Sequence, residues 1–295
     1  MQSSAALSIG LPVVLCIIML GLGLSLRLDD FRRVLHRPQA VLIGLVCQIV
    51  ILPIICFGLT SASGLPPAIA VGMMLLAASP GGTSATLYTH LARGDVALSI
   101  TLTALTSALS IVTVPLIANF ALVQFYGEAA TVYLEFSQVA QIFVIAVVPA
   151  MADVLIQGRH PAFAQRLERP VKMLAMLFLA AVVIFALASQ WGLVATWGAT
   201  VGTIVVIFNL ISFAVGYFVP RLFRIEYRQA IALAMSIGMH NAALVIAVAL
   251  SKHMLGNSEM AIPPAAYGLV AYITGGLLVW VLNRRQTVPV MPTPG

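Results

Sequence analysis

The stretch Pro67-Ala-Ile-Ala-Val-Gly-Met-Met-Leu-Leu-Ala-Ala-Ser79 runs into Pro80-Gly-Gly-Thr83 and resumes as Ser84-Ala-Thr-Leu-Tyr-Thr-His-Leu91. A helix needs about 20 residues, at 1.5 Å each, to cross roughly 30 Å of hydrocarbon. Neither half is long enough alone, yet 66–91 together are. Pro80 removes an amide donor, and Gly81 and Gly82 weaken the helix further. Breaking a helix in lipid leaves amides and carbonyls unpaired, each costing roughly several kcal/mol. Such a break is tolerated where it faces a cavity. Its exposed carbonyls can hold a cation, and its half-helix amino termini favour an anion.

The rest of the chain fits the same setting. It is 61% hydrophobic and only 8% charged, with a mean hydropathy of +1.06, and so few charges cannot cover a water-soluble domain of this length. The ruler that finds 66–91 places further spans at 7–26, 39–60, 96–118, 136–157, 170–189, 196–219, 228–250 and 262–283. The expectation is an all-α integral membrane protein of about nine helices, one unit over 1–286 followed by a disordered tail over 287–295. Leu7 to Leu26 reads as a retained span, since no basic residue precedes it.

The net charge of +6 does not point to nucleic acid, because the basic residues are scattered through short loops. Their order sets the orientation instead. Arg27, Arg32, Arg33 and Arg37 follow span one, and Arg93 follows span three. Arg159, Arg166, Arg169 and Lys172 follow span five; Arg221, Arg224 and Arg228 follow span seven; Arg284 and Arg285 follow span nine. Lys252 alone falls on the other side, with Glu128, Glu135 and Glu259. The amino terminus is expected outside and the carboxyl terminus in the cytoplasm, in a cell inner membrane.

Span eight also carries an interruption, Ser236-Ile-Gly-Met-His-Asn241. Spans three and eight are each the third of a four-span set, one to four and six to nine, with span five between. That odd offset gives the sets opposite orientation, an inverted repeat with a broken helix in each half, which is a transporter pattern.

Polar residues gather near these breaks. Ser99, Thr103 and Thr106 repeat at helical spacing in span four, a stripe that could face the first break. Gln48 lies midway along span two and needs a partner at that depth. Asn209 in span seven and Gln138 with Gln141 in span five are of the same type. Cys16, Cys47 and Cys56 lie in apolar stretches without CxxC spacing, and read as small membrane side chains. His90, beside Arg93, reads as interfacial. With no GxSxG, P-loop or HExxH pattern, an enzyme is not expected.

Pro80-Gly-Gly-Thr-Ser-Ala-Thr-Leu-Tyr-Thr-His-Leu-Ala-Arg-Gly-Asp-Val-Ala-Leu-Ser99 resembles the signature of the bile acid:sodium symporter family, and Gly238-Met-His-Asn-Ala-Ala-Leu244 resembles its second broken helix. The resemblance covers the chain apart from the first helix of ten-helix members. It implies a panel domain (spans 7–26, 136–157 and 170–189) and a core domain (39–118 and 196–283) in which the two broken helices cross. Family sodium positions fall on Gln48, Thr86, Ser99, Thr103, Ser236, His240 and Asn241, with backbone carbonyls around Ile237 and Met239. Substrate would meet Pro80, Gly81, Gly82, Thr83, Asn209, His240 and Asn241.

The chain departs from the family pattern at three places. Ser236 stands where a glutamate is common, His240 where a glutamine is common, and Ala85-Thr86 where a serine-asparagine pair is expected. An Na⁺ bound only by neutral oxygens loses at least a few kcal/mol of attraction, even at an effective dielectric of about 20. His240 offers a second route, since an intramembrane histidine can carry a proton. The expected function is secondary-active symport of an organic anion or small amphipathic metabolite, with Na⁺ as first choice of coupling ion. No resident cofactor is expected, and the partners are the substrate and the lipid bilayer. The alternatives are proton-coupled or uncoupled transport in the same fold through His240, or a non-transporting receptor or channel.

Overall fold

The computed structural model describes residues 38–82, 84–127, 191–251 and 254–286, with isolated positions between 134 and 184. Span one, nearly all of spans five and six, Thr83, Gln138, Gln141 and the 287–295 tail lie outside the described residues. The described part is helical, and its elements follow the expected spans. Span two is α1, Pro38–Ser63. Span three divides into α2, Pro67–Ala78, and α3, Ser84–Leu91; span four is α4, Val96–Tyr126; span seven is α5, Trp191–Leu222. Span eight divides into α6, Tyr227–Gly238, and α7, Ala242–Leu250, and span nine is α8, Ile262–Gln286.

Helices α1, α4 and α5, and α8 with the turn Glu259–Ala261 that leads into it, include the four stretches long and apolar enough to cross a membrane among the described residues. They keep one face outward. Leu42, Val46, Val50 and Ile54 stand exposed at four-residue intervals on α1; Leu109, Val112, Leu116, Phe120 and Val123 on α4, and Leu269, Ile273, Leu277 and Trp280 on α8, stand exposed at intervals of three or four. In water such stripes would be a liability, whereas in lipid they are the expected outer surface. The half-helices behave differently. Every residue from Ala68 to Ala78 in α2 is buried, as is every residue from Gln229 to Gly238 in α6. Half-helices buried on every side lie inside the bundle, and these two form its centre.

Several spans are longer than the ruler placed them. Helix α4 passes through Pro115 and runs on to Tyr126, ending at Gly127, whose φ is 58°. Helix α5 likewise starts at Trp191 and ends at Leu222. A hydrocarbon-length window fixes the apolar part of a span, not where its hydrogen bonding ends.

Helix α1 holds a π-turn at Cys47–Ile51. Its buried positions Gly44, Gln48, Leu52, Cys56 and Thr60 fall four apart. In an α-helix each four-residue step over-rotates by about 40°, and a π-turn, which holds an extra residue, takes that rotation back. The stripe therefore stays on the face packed against α2, where the Cys56 thiol lies 3.4 Å from the Met73 carbonyl. Gly44, one turn before Gln48, instead lets α1 approach α6 and α4 closely, as an added Cβ would lie 2.7 Å from Leu233 Cδ2 and 3.0 Å from Leu102 Cδ1.

Candidate functional site

The unpaired backbone of each break is met by the other. Gly81 and His240 form an antiparallel bridge. The Gly82 amide donates to the Met239 carbonyl at 2.6 Å, and the Asn241 amide donates to the Pro80 carbonyl at 2.9 Å. Two main-chain hydrogen bonds thus join the broken segments back to back at the centre of the bundle. The glycines permit this. A Cβ on Gly82 would lie 3.1 Å from the His240 carbonyl oxygen and 3.2 Å from that of Met239. One on Gly81 would lie 2.9 Å from the Ser236 carbonyl oxygen. Gly238 is required for another reason: any Cβ there would run into the Phe213 ring.

Side chains from the neighbouring spans reach the same place. On α4 the Thr106 hydroxyl accepts from the Gly81 amide at 3.4 Å. The Ser99 hydroxyl lies 2.9 Å from that of Ser236, so the expected stripe touches both broken helices. Thr103 Oγ1 stands 3.2 Å from where a Gly81 Cβ would be, and is buried with no hydrogen-bond partner. On α1 Gln48 is buried and its Nε2 donates to the Ser79 carbonyl at 3.3 Å, while its Oε1 has no partner. His240 Nδ1 comes within 3.5 Å of that same carbonyl oxygen. Its ring stacks on Phe208 at 5.6 Å and meets Tyr267 edge-on at 5.4 Å, and its Nε2 is buried without a partner.

The remaining expected positions are distributed around this centre. Asn241 caps α7 by accepting from the Leu244 amide at 3.1 Å. Asn209, fully buried, donates through Nδ2 to the Gly238 carbonyl at 3.1 Å. The Met239 carbonyl is engaged in the crossing, and Ile237 is buried near Gly216. Thr86 is half-buried on α3, His90 is exposed at the end of that helix, and Cys47 and Cys56 are buried free thiols. The described carboxylates, Asp95, Glu226 and Glu259, all stand at helix starts away from the crossing.

Sequence reading overlooked Phe208, Phe213, Tyr267 and Thr274. The Tyr267 hydroxyl donates to the Gly238 carbonyl at 2.7 Å, and the Thr274 hydroxyl donates to Asn209 Oδ1 at 2.5 Å. A usable signal existed, since these two polar residues lie seven apart on α8 and so share one face.

Several apolar helices around a joined pair of broken ones define a multi-pass membrane protein. The model of the Sodium Bile acid symporter family matches residues 12–197, a stretch that holds the first break and ends before the second. The chain belongs to this family, which is one of symporters and not of enzymes. It is 27% identical over 275 residues to the "Uncharacterized sodium-dependent transporter YocS" of Bacillus subtilis, covering 93% of this chain and 83% of that one. It is 26% identical to the "Probable sodium/metabolite cotransporter BASS1, chloroplastic" of Arabidopsis thaliana, covering 92% of this chain but 66% of the plant protein. With the "Ileal sodium/bile acid cotransporter" of Oryctolagus cuniculus it shares 24% identity over 82% of this chain and 69% of the other.

Proposed function

We propose that this chain is a Na⁺-coupled symporter that moves an organic anion or small amphipathic metabolite across a cell inner membrane by alternating access. The observation that carries this reading is the pair of buried oxygens with no protein partner, Gln48 Oε1 and Thr103 Oγ1, beside the first break. Leaving such groups unpaired costs roughly 1–3 kcal/mol each, a cost that a bound hard cation removes. Family membership supports Na⁺ as that cation.

In this reading nine spans form an inverted repeat, with the amino terminus outside and the carboxyl terminus cytoplasmic. A panel of spans 7–26, 136–157 and 170–189 moves against a core that contains the crossing. Gln48, Thr86, Ser99, Thr103, Ser236, His240 and Asn241 form the cation region with the Ile237 and Met239 carbonyls. Substrate enters next to Pro80, Gly81, Gly82, Thr83, Asn209, His240 and Asn241. With serine at 236, no carboxylate among the described residues stands at the crossing, so an anionic substrate is the natural source of balancing charge.

The unpartnered Nε2 of His240 favours a second reading, in which a proton replaces Na⁺. The two separate in proteoliposomes given Na⁺ and proton gradients independently, with a panel of carboxylates and sulfonates. Uptake driven by Na⁺, kept in Ser236→Ala and lost in Thr103→Ala, is the expected result. Equal uptake with and without Na⁺ would overturn the Na⁺ reading. Proton-driven uptake that His240→Ala leaves unchanged would remove the histidine from the mechanism.

A further inference from the structure

Helices α3 and α5 end on the same side of the bundle, where the Asp95 amide after α3 donates to the Arg228 carbonyl at the start of α6 at 2.9 Å. Both ends close in the same way. After α3 the Arg93 amide donates to the His90 carbonyl at 3.0 Å, and the Gly94 amide to the Thr89 carbonyl at 2.8 Å. After α5 the Arg224 amide donates to the Arg221 carbonyl at 3.1 Å, and the Ile225 amide to the Pro220 carbonyl at 3.0 Å. These are Schellman closures, in which glycine usually takes the position of positive φ. Here φ is 57° at Arg93 and 60° at Arg224, and no other non-glycine residue among those described has positive φ. Helices α1 and α4, which end on the opposite side, place Gly64 and Gly127 at φ 63° and 58°. An arginine held where glycine is unstrained points to a role for its side chain.

The turn after α5 shows what that role is. Arg221, Leu222, Phe223 and Arg224 are all exposed, and only Ile225 turns inward. Leu222 is 80% exposed and Phe223 54%, and Phe218, one turn before Leu222, is 66% exposed. Large apolar side chains so open belong in hydrocarbon. The arginines beside them then stand at headgroup level, where long basic side chains reach out from apolar surface. Arg221 is held in place, since its Nη1 donates to the Ile225 carbonyl at 3.0 Å, which uses one of its five N–H donors. Residues 221–228 carry three arginines against one carboxylate, Glu226. The turn after α3 has a single arginine, offset by Asp95.

We propose that the turn between α5 and α6 binds an anionic phospholipid. Arg221 and Arg224 take the headgroup phosphate, which suits the guanidinium fork, and Phe218, Leu222 and Phe223 lie along the acyl chains. Because α6 follows this turn directly, the bound lipid sets the start of the second broken helix at the membrane surface.

The test is native mass spectrometry of the purified full chain from detergent micelles holding equal amounts of phosphatidylglycerol and phosphatidylcholine. The wild type should retain phosphatidylglycerol in preference by roughly tenfold or more. Arg221→Gln and Arg224→Gly should each lower that preference by roughly fivefold, the worth of one basic residue near a charged surface. Arg284→Gln, which removes the same charge at the end of α8, should lower it by less than about twofold. Inorganic phosphate should not displace the lipid. In phosphatidylcholine nanodiscs Arg224→Gly should melt no lower than the wild type, since glycine relaxes the turn; where it does melt lower, Arg221→Gln decides. Added phosphatidylglycerol should raise the melting temperature of the wild type and not of Arg224→Gly. Equal retention of the two lipids by the wild type, or as large a drop in Arg284→Gln as in the turn variants, would overturn the proposal. So would displacement by phosphate, which would mark a free-anion site, or an unchanged preference in Arg221→Gln.

Discussion

Gly238 ends α6 beneath the Phe213 ring, with no space for even a methyl group. Overpacking of this sort costs roughly 1–3 kcal/mol, so Gly238→Ala is expected to lower the melting temperature in detergent. Phe213→Leu in the same chain should restore part of the loss. A double variant no more stable than Gly238→Ala would show that the glycine serves the backbone and not the ring. The residue scale is also where the sequence was least legible. Gly238 was noticeable as a glycine beside polar groups, but its partner lies twenty-five positions earlier, and no local pattern links the two. Gln48 was readable as a polar side chain at mid-depth that must find a partner; that the partner is the Ser79 carbonyl depends on how α1 packs against α2.

At the scale of the element, both helix breaks were legible, since Pro80-Gly-Gly and Gly238-Met-His-Asn241 weaken a helix wherever they occur. The π-turn of α1 was not, because nothing in Cys47–Ile51 is a breaker. It arises from the four-residue spacing of the buried stripe, which a span-counting window does not weigh. A π-turn is one extra residue between flanks that keep their faces, so deletion of Ile49 should leave the fold intact. The melting temperature is expected to stay within about 2 °C, equivalent to ~1 kcal/mol or less. The same deletion shifts the Gln48 carboxamide away from Ser79 and should abolish sodium-driven uptake. A deletion variant that unfolds would assign the π-turn to stability, and one that still transports would detach it from ion binding.

On the scale of the whole molecule, charge order and span count together predict a topology that labelling can check. In a cysteine-free background, Glu128→Cys should react with a membrane-impermeant maleimide added to intact cells, and Thr287→Cys should react only after permeabilisation. The reverse pattern, or equal labelling, would refute the proposed orientation. The all-helical membrane class was legible because lipid restricts backbone to helices and forces every exception to be accounted for, and the family was legible in the motif Pro80 to Ser99. The crossing itself could be anticipated only by likeness to relatives, as no residue pattern says which carbonyl an unpaired amide will find. Its bonds run from Gly82 to Met239 and from Asn241 to Pro80, main chain to main chain. Amides and carbonyls recur in nearly every residue, so this joint is largely indifferent to which side chains surround it, provided the glycines stay small. Inheritance can therefore respell positions 236 and 240 while the main-chain joint beside them persists unchanged.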